Sequence, residues 1–443
     1  MIKIPQTCDV VVIGGGPAGS VAATTLAQKG WRVVLLEKQR HPRYVVGESL
    51  IPDFWKYLDL IGASEKILAE GFIQKGGGMV NWQGQPKAHT FKDFGYTRPA
   101  LHVERDRFDE ILLRHAESEG VQVFEECNVM ATELPATVAS QLPVQVHYRN
   151  LDAQSEGTIT CQYVVDASGQ NAVIGRQLGL RKFDDAFRFM SVWGYFTGGK
   201  YLSIDGVAHE YAEIKKVPPV TYVTSLDGVG DKGWCWYIAL RDNISVGLVF
   251  PNDTMKELKG ADENWEAYLL RCCKATPVVR ELLANATFCT GSVRVTRDYS
   301  YQSTQLAGPG YYLIGDAAGF VDPIFSVGIV LGVYSAHLAA WAIDGSLKNP
   351  ALAVARQGLF EKQLRGRLEI ARSLALPRYQ PASQISAEAK NAMALESTTV
   401  KQMMKTVSSL TNRSDNFNLM TNGGEGIEVN DRQLRIIEKL ELA

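Results

Sequence analysis

Residues 9–38 read DVVVIGGGPAGSVAATTLAQKGWRVVLLEK. Asp9–Ile13 is a short Val/Ile run, the composition of a strand buried on both faces. Residues 17–29 are alanine-rich and helical in character, and RVVLLEK (residues 32–38) supplies a second strand, so the stretch is a β-α-β unit. Between strand and helix lies Gly14-x-Gly16-x-x-Gly19. Gly14 permits the tight turn, Gly16 lets backbone approach a pyrophosphate, and Gly19 lets helix and strand pack closely. Pro17 and Ala18 open the helix, whose N–H groups and partial positive charge favour phosphate. Glu37 closes the second strand at the distance where a carboxylate accepts the hydroxyls of an adenosine ribose, with Lys38 and Arg43 assigned to the same site.

A second, distant element separates FAD from NAD. YYLIGDAAGFVDPIFSVG (residues 311–328) carries Gly315-Asp316 at a strand end, followed by a helix opening near Val327. A carboxylate there can bond a ribityl hydroxyl, and the backbone that follows, at Gly328 and Ile329, can face the pyrimidine edge of a flavin. VVDASGQNAVIGRQLG (residues 164–179, with Asp166, Gly169 and Arg176) is a third element, and VERDRFDEILL (residues 103–113, with Arg105) a fourth. No second nucleotide-binding β-α-β unit is read, so no dedicated NADPH domain is expected, and the cofactor is FAD.

The bulk properties bound the rest. With 443 residues, two packed lobes are expected. The chain is 46% hydrophobic and 21% charged with a net charge of −2, and its basic residues are scattered, which argues against a nucleic-acid partner. Seven cysteines form no CxxC pair and no histidine cluster accompanies them, so neither a metal site nor a disulfide framework is expected and a reducing cytoplasm is the natural compartment. The N-terminus runs directly into a strand without the features of a cleavable signal. The apolar run from Gly328 contains Ser335 and His337 and reads as a buried helix, not a membrane span.

Residues 53–70 look helical with a break at Gly62, and Arg105–Gly120 is amphipathic. VQVHYRN and TITCQYVVDAS read as a hairpin. From about residue 185 to 255 the hydrophobic period changes to two (FRFMSVWGYFTGG, PVTYVTSL, GWCWYIALRD, ISVGLVF), predicting a mostly antiparallel sheet, and residues 265–285 return to helix. The expected fold is α/β: a Rossmann-like FAD-binding domain (1–80, 101–183 and 285–348), an inserted, mostly antiparallel β-sheet substrate domain (81–100 and 184–284) and a C-terminal helical segment (349–443) ending loosely around residues 421–431. His102 and His115 read as structural. GFIQKGGGMVNWQG (residues 71–84), taken locally, reads as a glycine-rich hairpin with Lys75 in water.

The four nucleotide elements together resemble the flavoprotein superfamily of p-hydroxybenzoate hydroxylase, geranylgeranyl reductases and flavin-dependent halogenases, over roughly residues 8–345. HPRYVVGESLIP (residues 41–52) is similar to the segment shared by halogenases and reductases in which Gly47-Glu48-Ser49 lies beside the isoalloxazine. Lys75 matches the active-site lysine of flavin-dependent halogenases in position and neighbours. WCWYIA (residues 234–239) resembles their WxWxIP motif, with Ala239 in place of proline. DPIFSVG (residues 322–328) resembles the DPxFSxG of halogenases acting on phenols, pyrroles or carrier-bound substrates, with Phe325 where tryptophan halogenases carry glutamate.

The resemblance implies a function. Reduced FAD, delivered by a transient flavin reductase or generated directly by NAD(P)H, would react with oxygen to a C4a-hydroperoxide that oxidises chloride or bromide. Lys75 would relay the halogen to an aromatic substrate, free or tethered to a carrier or target protein. Trp234 and Trp236 would bar that substrate from the flavin, backbone near Ser326–Gly328 would hold halide, and Glu48 would tune the flavin or act as a base. Burial would favour the neutral amine of Lys75. The short region after residue 350 implies an open substrate site. A halogenase-like monooxygenase hydroxylating an aromatic group uses the same flavin site, a prenyl-reducing enzyme accounts for Gly47-Glu48-Ser49, and a non-enzymatic flavin protein is the remaining alternative.

Overall fold

In the computed structural model, Val10–Ile13 is a central strand of a six-stranded sheet. Val33–Leu36 and Gln122–Phe124 lie on one side of it, and Tyr163–Asp166, Tyr311–Leu313 and Ala307–Gly308 on the other. The pairings are parallel except at the Ala307–Gly308 edge. The structure describes residues 3–376 and Tyr379, apart from 83, 138–141, 227–232 and 256–258; the segment expected at 421–431 lies outside them. The helix Pro17–Gln28 packs on this sheet and against the helices Arg105–Ser118 and Gly328–Lys348. A Cβ on Gly19 would stand 1.9 Å from the Gly14 carbonyl oxygen, so this close helix–strand contact requires glycine. Among the described residues no helix is long and apolar enough to cross a membrane; Gly328–Lys348 is instead buried along most of its length.

Two local readings change. TITCQYVVDAS is not one strand: it divides at Gln162, so that Ser155–Cys161 pairs with Val144–Asn150 as the expected hairpin while Tyr163–Asp166 enters the parallel sheet. The hairpin is joined by a strand that the sequence reading did not separate, Cys127–Glu133.

The large sheet runs in the order Thr287–Phe288, Phe189–Thr197, Ile244–Pro251, Trp234–Ala239, Val220–Ser225, Gly77–Trp82, Gln85–His89, with Arg294–Arg297 also paired to Phe189–Thr197. Only Val220–Ser225 and Gly77–Trp82 pair in parallel. Gly77–Trp82, Thr287–Phe288 and Arg294–Arg297 are strands of this sheet, beyond the stretches expected to form it. All six residues of Trp234–Ala239 are buried, and the period of two sorts them. Cys235 and Tyr237 pack in one apolar cluster with residues of the helices Trp265–Ala275 and Pro277–Leu282, whereas Trp234, Trp236 and Ile238 join another with Trp193.

The glycine-rich stretch supplies one arm of a hairpin, Gly77–Trp82 with Gln85–His89, but Lys75 stands before that arm on a separate strand and is buried. Ile73–Lys75 belongs to a small sheet with Ser49–Leu50 and Ala100–His102, and after Gly76 the chain enters the large sheet as Gly77–Trp82. The glycines serve contact: a Cβ on Gly77 would lie 2.1 Å from the His89 carbonyl oxygen, and one on Gly78 2.6 Å from the His89 ring. Beyond the helix Ala353–Ala375, Tyr379 packs on Phe187 and Phe189 in the same cluster as Trp234. The end of this helix thus covers part of the indole face that the sequence left open.

Across the large sheet Gly247 stands opposite both Trp193 and Trp236, whose ring centroids are 6.2 Å apart. A Cβ there would come within 2.1 Å of the Trp236 ring. Gly247→Ala should therefore destabilise the fold by about 1–3 kcal/mol through overpacking, read as a lower urea midpoint; an unchanged midpoint would show that the indole moves freely.

Candidate active site

Between the parallel and the large sheets lies a cavity of about 1070 Å³. The nucleotide elements contribute Gly14, Gly16, Pro17, Ala18, Glu37 and Lys38; Arg43, Glu48, Ser49 and Arg105 follow, and the distant loop brings Gly315, Asp316, Ser326, Gly328 and Ile329. Trp193, Thr221, Trp234 and Trp236 line it from the large sheet. Three of the residues expected at the site stand behind this lining. Gly19 is the helix–strand contact already described. Asp166 is buried and accepts hydrogen bonds from the Ser168 amide (3.0 Å) and hydroxyl (2.6 Å) and the Ile174 amide (2.8 Å), so it shapes the turn that presents Gly169 and Arg176. Lys75 is the third.

The nucleotide end fits FAD. Glu37 is pinned to the glycine turn, accepting from the Gly15 amide (2.7 Å) and the Gln39 amide (2.9 Å). No side chain caps the Pro17–Gln28 helix, whose first N–H groups are left for a phosphate. Arg105 binds both oxygens of Asp109 (2.8 and 3.0 Å) and donates to the Val46 carbonyl (2.8 Å), fastening the segment before Gly47. Arg43 reaches the same Asp109 at 3.1 Å. Asp109, within the VERDRFDEILL motif, carries no sequence signal of its role; its fully buried carboxylate holds two arginines at the cavity wall. Asp316 is raised to about 6 by burial, against the pull of Arg105. The turn beneath it is held by the Gly315 amide donating to Ser335 Oγ at 2.9 Å, a contact across 20 residues that no local pattern announces.

The indoles are tied down individually. Trp234 Nε1 donates to Tyr379 Oη (2.8 Å), which donates to Asp322 (2.9 Å), a carboxyl pushed up to about 7 by burial. Trp236 Nε1 donates to Ser245 Oγ (3.1 Å) and Trp193 Nε1 to Tyr44 Oη. Glu48 accepts from Tyr195 Oη at 2.5 Å, and burial raises its pKa above the usual carboxylate value. Trp193 is added by the structure: its place beside Trp236 depends on both strands pairing with the one that carries Gly247, which no local pattern announces.

Lys75 is buried, 7% exposed, on the far side of two hydroxyls that line the cavity. Its Nζ donates to Ser49 Oγ (2.9 Å) and lies 5.1 Å from the centroid of the Phe91 ring. Ser49 Oγ is 2.9 Å from Thr221 Oγ1 and accepts from Ser326 Oγ at 3.1 Å. Burial lowers the lysine to about 7. Among the described residues no group of His, Cys, Asp or Glu is placed to hold a metal.

The depressed pKa has a sign that stability can read. Below pH 7 both states carry the Lys75 proton and folding buries a charge; between about 7 and 10.5 the folded state has released the proton while the unfolded chain keeps it, so stability rises with pH. Lys75→Met should stabilise the protein at pH 6 by about 3–5 kcal/mol, a gain that shrinks toward zero by about pH 10.5. Urea unfolding across this range checks it; a pH-independent difference would mean that Lys75 is solvated.

Residues 7–354 match the family model described as FAD binding domain. The tryptophan 2-halogenase of Chondromyces crocatus is 36% identical over 344 residues, covering 77% of this chain and 62% of that protein. The flavin-dependent halogenase armH5 of Armillaria mellea is 34% identical over 372 residues, 82% of this chain and 69% of that protein. The chain thus spans between three-fifths and seven-tenths of the length of these curated relatives. Among solved structures, the myxobacterial chondrochloren halogenase CndH, a variant of FAD-dependent halogenases, superposes with a TM-score of 0.76 at 29% identity, over 98% of this chain and 97% of that one. A cavity with this nucleotide cradle, an indole wall and a lysine behind it, on a chain with these relatives, belongs to the flavin-dependent halogenase family.

Proposed function

We propose that this protein is a two-component, FAD-dependent halogenase that transfers an oxidised halogen through Lys75 to an aromatic substrate. Reduced FAD with dioxygen supplies, when bound, the oxidising equivalent that turns chloride or bromide into an electrophilic halogen donor. Glu37, Arg105, Asp316 and the Gly14–Gly16 turn hold the cofactor, and backbone at Ser326–Gly328 holds halide. A flavin reductase delivers the reduced cofactor, and the substrate is a phenol, pyrrole or indole, free or tethered to a carrier or target protein. The large sheet forms the substrate side and the parallel sheet the cofactor side. All seven cysteines are free, which supports assignment to a reducing cytoplasm.

The observation that carries this reading is the position of Lys75. Its amine lies behind the Ser49 and Thr221 hydroxyls, with a pKa near 7 that leaves a large neutral fraction at physiological pH. A neutral amine can accept halogen as a haloamine; a protonated one can hold hypohalous acid by hydrogen bond. The three indoles, fixed by Tyr44, Ser245 and Tyr379, keep an aromatic substrate from the cofactor. A small halogen donor has only the hydroxyl wall to pass.

A second reading, direct hydroxylation of an aromatic substrate by the same cofactor, is favoured by Ala239 where the motif has proline. Product analysis separates the two. With FAD, a reductase, oxygen and bromide, the protein should brominate a phenol trap, and Lys75→Ala should lower that yield by about 100-fold or more while still binding flavin. Hydroxylated trap carrying oxygen from O2, with no halogen incorporated, would establish the monooxygenase instead.

A further inference from the structure

His102 lies on the middle strand of the small sheet, paired directly with Ser49 and one strand away from Lys75. It is completely buried. Its Nδ1 is 2.9 Å from the Ala239 carbonyl oxygen and its Nε2 is 2.8 Å from Thr221 Oγ1. Thr221 Oγ1 is 2.9 Å from Ser49 Oγ, and Ser49 Oγ is 2.9 Å from Lys75 Nζ. The two sheets therefore join in an unbroken line of polar atoms from a backbone carbonyl to the lysine.

Resting on the reading of Lys75 as halogen relay, we propose that His102 is a positioning residue that sets, through Thr221 and Ser49, the direction in which the Lys75 amine presents its lone pair.

The direction follows from the carbonyl end. Ala239 O can only accept, so Nδ1 of His102 carries the hydrogen. Burial and then the charge of Lys75 push His102 down to about 3, so the ring is neutral and Nε2 has only a lone pair to offer. Thr221 must then donate to Nε2, and its oxygen accepts from Ser49. Ser49 has no proton left for the lysine; its oxygen accepts from Lys75 and from Ser326. The amine therefore turns an N–H toward the cavity wall, and in its neutral form its lone pair points away from Ser49. A hydroxyl free to rotate would instead donate to that lone pair and quench it as a nucleophile. The other ionisable ring at the lysine is His89, lowered to about 4 by burial and by Lys75, with Asp93 acting on it from beyond; both imidazoles are neutral where the lysine titrates.

Two measurements on the whole 443-residue chain test this. Nitrogen NMR of isotope-labelled histidine should show His102 as the neutral Nδ1–H tautomer throughout the neutral pH range, with Nε2 shifting when the Thr221 hydroxyl is removed in Thr221→Val. In bromination of the phenol trap, with flavin loading verified from the visible spectrum, Thr221→Val should lower the plateau rate about tenfold. It should also move the rising limb of the pH profile to lower pH, because Ser49 can then donate to the neutral amine and favour it. Thr221→Ser should restore both. An Nε2–H tautomer, or a Thr221→Val profile identical to the parent while Lys75→Ala is inactive, would overturn the positioning role alone. Full transfer by Lys75→Ala would overturn the relay on which it rests, and would leave the tautomer result standing.

Discussion

A primary amine buried beside Phe91 and Ser49, where burial lowers its pKa, is costly to keep. Hydrocarbon at the position of Lys75 would satisfy the packing at lower free energy. The surrounding architecture is best understood as what holds that amine in one place. Ile73–Lys75 is bound into a small sheet, Gly76 turns the chain at once into the large sheet, and the two glycines after it admit the His89 strand. The lysine thus sits where the small sheet meets the large one, so that a strand of the small sheet offers Ser49 and a strand of the large sheet Thr221.

The cofactor cavity lies on the other side of these two hydroxyls, between the parallel and the large sheets. On one wall, glycines at 14 and 16 and the uncapped helix offer backbone donors, while Asp109 gathers Arg43 and Arg105. On the other, strand periodicity presents Trp193, Trp234 and Trp236 on a common face, and the missing side chain at Gly247 lets two of the indoles approach each other. Each ring is held by its N–H, and each acceptor comes from a different part of the chain: residue 44, residue 245 and residue 379. The fastening of the wall is thus distributed along the chain.

Much of this was legible in sequence, for a physical reason. Gly14, Gly16, Gly19 and Glu37 act within one β-α-β unit, so spacing along the chain is spacing in the molecule, and the Trp234–Ala239 strand shows its two faces through alternation alone. The alternating stretches correctly announced a sheet, although Gly77–Trp82, Thr287–Phe288 and Arg294–Arg297 joined it from outside the expected bounds. Illegible features depend on contacts between distant segments. Ser335 under Gly315, Tyr379 on Trp234 and His102 linked to Lys75 through Thr221 have no local signature. TITCQYVVDAS misled because a continuous β-forming composition says nothing about where a chain changes sheets. Asp166, an acid inside a nucleotide motif, turned out to organise its own loop, since three nearby donors satisfy it first.

The hydroxyl partition between cavity and lysine has an evolutionary consequence. Residues that meet the cofactor and residues around Phe91 and His89 contribute to opposite sides of Ser49 and Thr221. Selection can therefore remodel one side by mutation without renegotiating the other. Substitutions around Phe91 and His89 can accordingly accumulate without disturbing the nucleotide cradle.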